Sequence, residues 1–122
     1  GQNTFIGAST AESGVCTGTQ NTLVGGNNAT GITSGADNTV LGTHAARNLT
    51  TGAGHVAIGT HARRLAAAGN NGVYVGIYSG YNHTAGRSVY VGEYAGYDAT
   101  SSDDSVHIGR LAGENVTTGY TK

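Results

Sequence analysis

The chain has 122 residues, of which 22 are Gly and none is Pro, Met or Trp. Hydrophobic residues make up 37% of the positions and charged residues 11%, and the formal net charge at pH 7 is −1. A net charge this close to zero does not indicate a basic surface for nucleic acid, and no apolar run approaches the roughly 20 residues of a membrane span. We therefore expect no nucleic-acid partner and no membrane insertion.

A five-residue motif that ends in Gly recurs seven times and organises the whole chain. Residues 21–25 (NTLVG) and 38–42 (NTVLG) are two of its copies. Self-similarity at a fixed period is the signature of a repeat architecture, so residues 1–122 are interpreted as one repeat domain, and we expect it to be a fragment of a longer protein. The repeats begin at Asn3, Asn21, Asn38, His55, Gly72, Ser88 and Ser105, with spacings of 18, 17, 17, 17, 16 and 17 residues.

Each repeat opens with a predicted strand, and its residues are numbered here from the first residue of the repeat. Position 2 is Thr or Val and position 4 is Ile, Val or Leu, which predicts a short strand with these two positions facing inward. The invariant Gly at position 5 then turns the chain. In chain order the predicted strands lie in residues 3–7, 21–25, 38–42, 55–59, 72–76, 88–92 and 105–109.

The remainder of each repeat contains two further inward positions and a second corner. Position 8 is mostly small and position 12 mostly apolar, and both are predicted to point into the interior. The small residues are Ala45, Ala62, Ser79, Ala95 and Ala112, and the residues at position 12 are Ile32, Leu49, Ala66, His83, Ala99 and Val116. Gly recurs at position 15, where it predicts a corner with backbone angles that a side chain would resist, in Gly35, Gly52, Gly69, Gly86 and Gly119.

These elements predict an all-β fold, a parallel β-roll or β-helix of seven rungs of about 17 residues, where a rung is one turn of the coil. No stretch carries the 3.6-residue stripe of a helix. A coil this narrow buries little per residue, so lateral association as a homotrimeric rod is expected. The expected interface is the row at position 3, which should point outward if positions 2 and 4 point inward: Phe5, Leu23, Val40, Ala57, Tyr74, Tyr90 and His107.

The repeats resemble a known class of Gly-rich sequences. Residues 89–96 (VYVGEYAG) and 106–113 (VHIGRLAG) are similar to the repeats of phage tail fibres and tail-fibre-like surface proteins, and to the shorter repeats of trimeric autotransporter adhesin heads. The resemblance implies a parallel β-roll or β-helix, three chains side by side, and a place on a virion tail or cell surface. The 17-residue period departs from the autotransporter repeats and favours the fibre branch.

The tyrosines are concentrated in two consecutive repeats. On stacked rungs they would form the pairs Tyr74 over Tyr90, Tyr78 over Tyr94 and Tyr81 over Tyr97. Aromatic rings with hydroxyl rims suit glycan binding. The alternative is that these ladders only stabilise the stacked strands or a seam between chains.

Charged side chains supply two further candidates. Arg47 and Arg64 share position 10, so we expect them to be rung neighbours on an outward edge, where an acidic ligand or ordinary solvation relieves their repulsion. Glu93 and Arg110 share position 6 and are expected to form an ion pair across rungs. Position 7 stacks His44 over His61, but one imidazole per rung is too few for a metal site.

The sequence predicts a structural and adhesive fibre segment that attaches to a cell-surface glycan or protein receptor. We expect no enzyme activity, catalytic residue, metal or cofactor, because the chain contains none of the nucleophile, phosphate-loop or paired-histidine motifs of enzymes. An alternative is an ice- or mineral-surface binder that uses the ranks of Thr at positions 13 and 14, although Ala67-Ala68 interrupts them. Glycosylation sequons occur at Asn28, Asn48, Asn82 and Asn115.

Overall fold

The computed structural model describes residues 1–12, 15–101 and 103–117, and its regular elements are seven three-residue strands. All seven form one parallel sheet in sequence order, which confirms the predicted all-β solenoid. In the described part of the chain, no helix has the length and hydropathy needed to cross a membrane. The strands are β1 (Thr4–Ile6), β2 (Thr22–Val24), β3 (Thr39–Leu41), β4 (Val56–Ile58), β5 (Val73–Val75), β6 (Val89–Val91) and β7 (Val106–Ile108).

Strand pairing joins equivalent positions of neighbouring repeats. Leu23 of β2 pairs with Val40 of β3, and Tyr74 of β5 pairs with Tyr90 of β6. This register holds across the 16-residue repeat as well as the 17-residue ones, because the missing residue lies outside the strand. The corners absorb variation in repeat length and the strands do not.

The two faces of the strands are the reverse of those predicted. Position 3 points into the coil: Leu23, Ala57, Tyr74 and Tyr90 are fully buried. Positions 2 and 4 point outward, and Ile108 at position 4 is 70% exposed. Period-two alternation identifies two faces of a strand without saying which one is enclosed. The row at position 3 is therefore not an outer interface.

The interior is filled by complementary volumes at positions 3 and 9 of the same rung. Where position 3 is Tyr74 or Tyr90, position 9 is Gly80 or Gly96, and a Cβ on Gly80 would lie 2.1 Å from the Tyr74 ring. Where position 3 shrinks to Ala57, position 9 is Arg63, which is fully buried. The predicted inward positions 8 and 12 are confirmed by complete burial of Ala45, Ala62, Ser79, Ala95, Ile32, Leu49, Ala66, His83 and Ala99, while Ala112 and Val116 are partly buried.

A ladder of polar side chains at position 1 runs through the interior beside the sheet. The amide of Asn38 donates from Nδ2 to Oδ1 of Asn21 at 3.0 Å and to the carbonyl oxygen of Gly52 at 2.9 Å. Its own Oδ1 accepts the backbone N–H of His55 at 3.0 Å. The ladder is continuous from Asn3 to His55, which accepts the backbone N–H of Gly72, so these buried polar groups stabilise the stack instead of opposing burial.

Glycine is required at both predicted corners, for different reasons. At position 5 the backbone is left-handed, as at Gly42 with φ 136°. At position 15 the reason is close approach, since a Cβ on Gly52 would lie 2.6 Å from the carbonyl oxygen of Gly69 in the next rung. The sequence predicted backbone angles at position 15 that a side chain would resist. Gly69 has such an angle, with φ 96°, and Gly52 does not. Gly119 lies outside the described residues.

Candidate ligand-binding edge

Two columns of side chains follow the corner after each strand. Position 7 adopts the left-handed conformation, with φ between 57° and 60° at His44, His61, Tyr78 and Tyr94, and this turn directs its side chain away from the interior. Backbone hydrogen bonds keep the column in register, as from Tyr78 N–H to the Thr60 carbonyl at 3.0 Å. We define the aromatic–basic edge as position 7 (His44, His61, Tyr78, Tyr94) together with position 10 (Arg47, Arg64, Tyr81, Tyr97).

The outer tyrosine pairs predicted from the repeat form as expected. Tyr78 stacks on Tyr94 and Tyr81 on Tyr97, each with ring centroids 5.0 Å apart. The two columns also touch, because the rings of Tyr78 and Tyr81 lie 5.4 Å apart. His61 extends the ladder, with its ring 4.9 Å from that of Tyr78. The edge is one continuous aromatic surface.

Tyr74 and Tyr90 do not belong to this surface, although they were predicted as ligand-binding residues. They stack on each other at 6.0 Å, as predicted, but inside the coil. The hydroxyl of Tyr74 lies 2.8 Å from Nδ1 of buried His83. A residue at position 3 of a strand shares the inward face with position 1, so neither tyrosine can reach a ligand. The glycines opposite them at position 9 were the signal that could have placed them correctly.

Stacking determines which part of the edge is available to a ligand. The rings of Tyr81 and Tyr97 are 8° from parallel, and those of Tyr78 and Tyr94 are 18° from parallel, so neighbouring rings cover each other's faces. The ladder accordingly presents ring edges and hydroxyl groups, which can donate and accept hydrogen bonds. Packing of a sugar on an open ring face, as expected from the sequence, is not available within these pairs.

The two arginines continue the same columns. The backbone N–H of Asn48 donates to the Arg64 carbonyl at 3.0 Å, which keeps Arg47 and Arg64 in neighbouring rungs as predicted. Arg64 Nη1 donates to the Tyr81 hydroxyl at 2.9 Å, and its guanidinium lies 6.0 Å from the centre of that ring. Neither arginine has a carboxylate partner among residues 1–12, 15–101 and 103–117.

His61 on the edge contributes little positive charge at neutral pH. Partial burial, followed by the charges of Arg64 and His44, lowers the pKa of His61 below its ordinary value of 6.5. His44 lies 4.9 Å from His61 between ring centres. The described residues include no group of three or more His, Cys, Asp or Glu side chains that could hold a metal ion.

A second polar cluster lies wholly inside the coil and was missed from the sequence. Arg63 is buried and has no carboxylate partner among the residues that the structure describes. Its Nη1 donates to the Ala66 carbonyl at 3.3 Å, Nη2 donates to the Ala68 carbonyl, and its guanidinium lies 5.5 Å from the Tyr74 ring. Burial and the Arg63 charge lower the pKa of His55 from 6.5 to about 4. Arg63, His55 and Tyr74 are all fully buried, so none of them can contact a ligand outside the coil.

An open polar cleft of about 430 Å³ marks the corner of the 16-residue repeat. Asn70, Asn71, Gly86, Arg87 and Asp103 line it. The cation there is already neutralised, because Arg87 pairs with Asp103 at 3.7 Å and with Asp104 at 3.1 Å.

The predicted pair of Glu93 and Arg110 also forms, at 3.1 Å.

Two other features predicted from the sequence acquire a structural explanation. Hydroxyl groups in the Thr rank at position 13 donate along the stack, as from Thr33 to the Thr50 carbonyl at 3.2 Å and from Thr84 to the Thr100 carbonyl at 2.6 Å. These bonds explain the rank without an external surface. Among the sequons, Asn28 is fully buried and inaccessible, whereas Asn48 and Asn115 are exposed and Asn82 is partly exposed.

A comparison with protein-family models, curated proteins and solved structures found no significant match to this chain.

Proposed function

We propose that this chain is a structural and adhesive segment of a surface fibre. Its sheet associates side by side with copies of the same chain, and its aromatic–basic edge makes contact with a receptor. The observation that carries the proposal is an uncharged, outward-facing sheet that no described residue covers.

This sheet face consists of positions 2 and 4 of the seven strands. Its fourteen side chains are eleven aliphatic residues and three Thr, with no charged residue. Ile6 is 59% exposed, Leu41 46% and Val106 51%. Because position 3 fills the interior, the outer face cannot fold back onto a core of its own. Soluble monomers rarely expose a regular apolar surface of this kind without a partner.

A second copy of the same face matches this surface in period, flatness and lack of charge. Seven strands about 4.8 Å apart and three residues long give a footprint on the order of 300 Å², below the roughly 800 Å² that each partner contributes to a standard interface. Closed cyclic association lets each copy contact two neighbours, so the homotrimer expected from the sequence remains the proposed assembly. Its interface moves from position 3 to positions 2 and 4. The small footprint makes association dependent on concentration.

Charged substitutions on the sheet face test this assembly. In sedimentation velocity, we expect the mass of the wild-type species to rise with concentration towards the mass of three chains. Replacing Leu41→Lys and Val75→Lys together should keep it at one chain mass, because burying two uncompensated charges is costly. The matched control carries Leu65→Lys and Ala67→Lys, two exposed positions off this face, and should associate like the wild type.

Circular dichroism checks that each variant retains the β-solenoid. A wild-type chain that stays at one chain mass at all concentrations would contradict the assembly. So would a folded sheet-face variant that associates as strongly as the control.

A further inference from the structure

Charge is segregated along this coil in a way that its net value conceals. Between residues 38 and 92 there is no Asp or Glu, but there are four Arg and four His. Five of the seven carboxylates follow in residues 93–117. The middle rungs therefore form a positive zone within a chain whose formal net charge is only −1.

Two of the four arginines in this zone are free to act on the outside. Arg63 is buried in the interior, and Arg87 is neutralised by Asp103 and Asp104. Arg47 and Arg64 remain, both half-buried on the aromatic–basic edge and without a carboxylate partner in the part of the chain that the structure describes. Two like charges one rung apart raise the local potential and attract anions.

We propose that the aromatic–basic edge binds a linear anionic polysaccharide, carboxylated or sulfated, extended along the axis of the coil. This inference rests on the proposed adhesive function and names the ligand class for its contact edge. Arg47 and Arg64 bind successive acidic groups, since guanidinium pairs well with carboxylate and sulfate oxygens. The hydroxyls of Tyr81 and Tyr97 continue the same column and hydrogen-bond the sugar hydroxyls.

The geometry of the ladder favours a polysaccharide over other polyanions. Single-stranded nucleic acid obtains much of its affinity by stacking bases on open aromatic faces, and here neighbouring tyrosines cover each other's faces. An acidic peptide needs pockets for anchoring side chains, and the edge is a continuous ladder. A hydroxyl-rich, acidic chain uses what the edge offers, which is two cations and a row of hydroxyl groups.

The charge pattern also limits the length of the site. Position 10 changes from Arg47 and Arg64 through two tyrosines to Glu114 in the last rung. Asp98 lies beside Tyr97 and accepts a hydrogen bond from the Asn82 amide. Both carboxylates repel an anionic chain, so the bound segment starts at rung 3, ends at the Tyr97 hydroxyl in rung 6 and does not extend over rung 7. An oligosaccharide of a few acidic units therefore fills the site.

Paired arginine variants test the site by titration calorimetry with heparin, alginate and neutral dextran. The edge variant carries Arg47→Gln and Arg64→Gln, and the matched control carries Arg87→Gln and Arg110→Gln, which removes the same charge elsewhere. We expect the wild type and the control to bind an acidic polysaccharide and not dextran. The edge variant should lose roughly tenfold in affinity, and its dependence of log K on log salt should fall by about two.

A second variant isolates the hydroxyl groups of the ladder. Tyr81→Phe with Tyr97→Phe keeps both rings stacked and removes the two hydroxyls, so we expect a several-fold weaker binding with an unchanged salt slope. Equal losses in the edge variant and its control would overturn the site, because net charge alone would then explain binding. Absence of binding to either acidic polysaccharide, or tighter binding of oligo(dT) or polyglutamate, would overturn the ligand class. Sedimentation of the same samples shows separately whether side-by-side assembly holds.

Discussion

Replacing Gly80 by Ala tests whether the interior is built from complementary volumes at positions 3 and 9. Gly80 has φ 57°, and an added Cβ would lie 2.1 Å from Cδ1 of Tyr74. The methyl group therefore has no room while the ring is present. The equivalent position of rung 3 is already Ala46, with φ 46°, opposite the smaller Val40. The backbone accepts Ala there when the facing side chain is small.

The expected cost has two parts. Overpacking a core costs about 1–3 kcal/mol, and the left-handed conformation adds about 1–2 kcal/mol for a residue with a Cβ. We expect Gly80→Ala to lower the free energy of unfolding by about 2–5 kcal/mol. Tyr74→Val should cost about 3 kcal/mol on its own, because it leaves a cavity and removes the hydroxyl that lies 2.8 Å from His83 Nδ1.

The double variant distinguishes volume complementarity from general damage. Tyr74→Val with Gly80→Ala recreates the pairing of Val40 and Ala46, so the clash disappears and a coupling of about 1–3 kcal/mol should be recovered. Hydrogen exchange at rung 5 is the suitable measurement, since repeat arrays need not unfold in one step. Additive effects of the two changes, within about 0.5 kcal/mol, would refute the inward placement of Tyr74 over Gly80.

Three further changes test the polar ladder and the corners. The pKa of His55 is about 4 in the folded chain and about 6.5 in the unfolded chain, so the unfolded chain binds the proton first as the pH falls. The free energy of unfolding should therefore decrease by about 3 kcal/mol between about pH 6.5 and about pH 4. Urea unfolding at both pH values should show that His55→Asn removes this pH-dependent decrease. Asn38→Ala should cost about 2–4 kcal/mol in the same assay, because it leaves the buried His55 N–H without its acceptor, and a loss under 1 kcal/mol would contradict the ladder. Gly52→Ala should lower the free energy of unfolding by at least about 1–3 kcal/mol, because the added Cβ would lie 2.6 Å from the Gly69 carbonyl oxygen. In the control, Gly26→Ala, the added Cβ meets nothing within 4 Å, so the melting temperature should change little.

The repeat period was sufficient to predict architecture and register. Stacking follows directly from period, because equivalent residues of a coil meet in neighbouring rungs, and Tyr78 over Tyr94, Tyr81 over Tyr97 and Glu93 beside Arg110 all lie as expected. None of these contacts depends on which strand face is enclosed. That is why they survive the reversal of the two faces.

The orientation of the strand could not be obtained from alternation alone. Positions 2 and 4 are the more uniformly apolar pair, and hydrophobicity therefore assigned them to the interior. The true interior contains Asn38, His55 and Arg63. Ladder bonds satisfy Asn38 and His55, and backbone carbonyls accept from both Nη atoms of Arg63, although its buried Nε has no partner among the described residues. The opposite signal lay in the pairing of positions 3 and 9 within a repeat, where Tyr74 and Tyr90 face Gly80 and Gly96 and Ala57 faces Arg63.

Volume compensation between positions 3 and 9 inside each rung leaves the outward-facing positions free to differ between rungs. The coil is held by rung-to-rung backbone hydrogen bonds and by close Gly contacts, such as Gly52 on Gly69, that recur along the stack. A large change at position 3 is absorbed at position 9 without moving the register, as the pairing of β4 with β5 demonstrates. The corner positions 7 and 10 and the outer positions 2 and 4 therefore vary without disturbing the fold. Position 10 changes from Arg through Tyr to Glu114 along the coil and position 7 from His to Tyr to Leu111, whereas positions 2 and 4 stay free of charge throughout. An edge with a graded charge suits a contact that must be selective, and an unvarying apolar face suits an interface that every rung repeats.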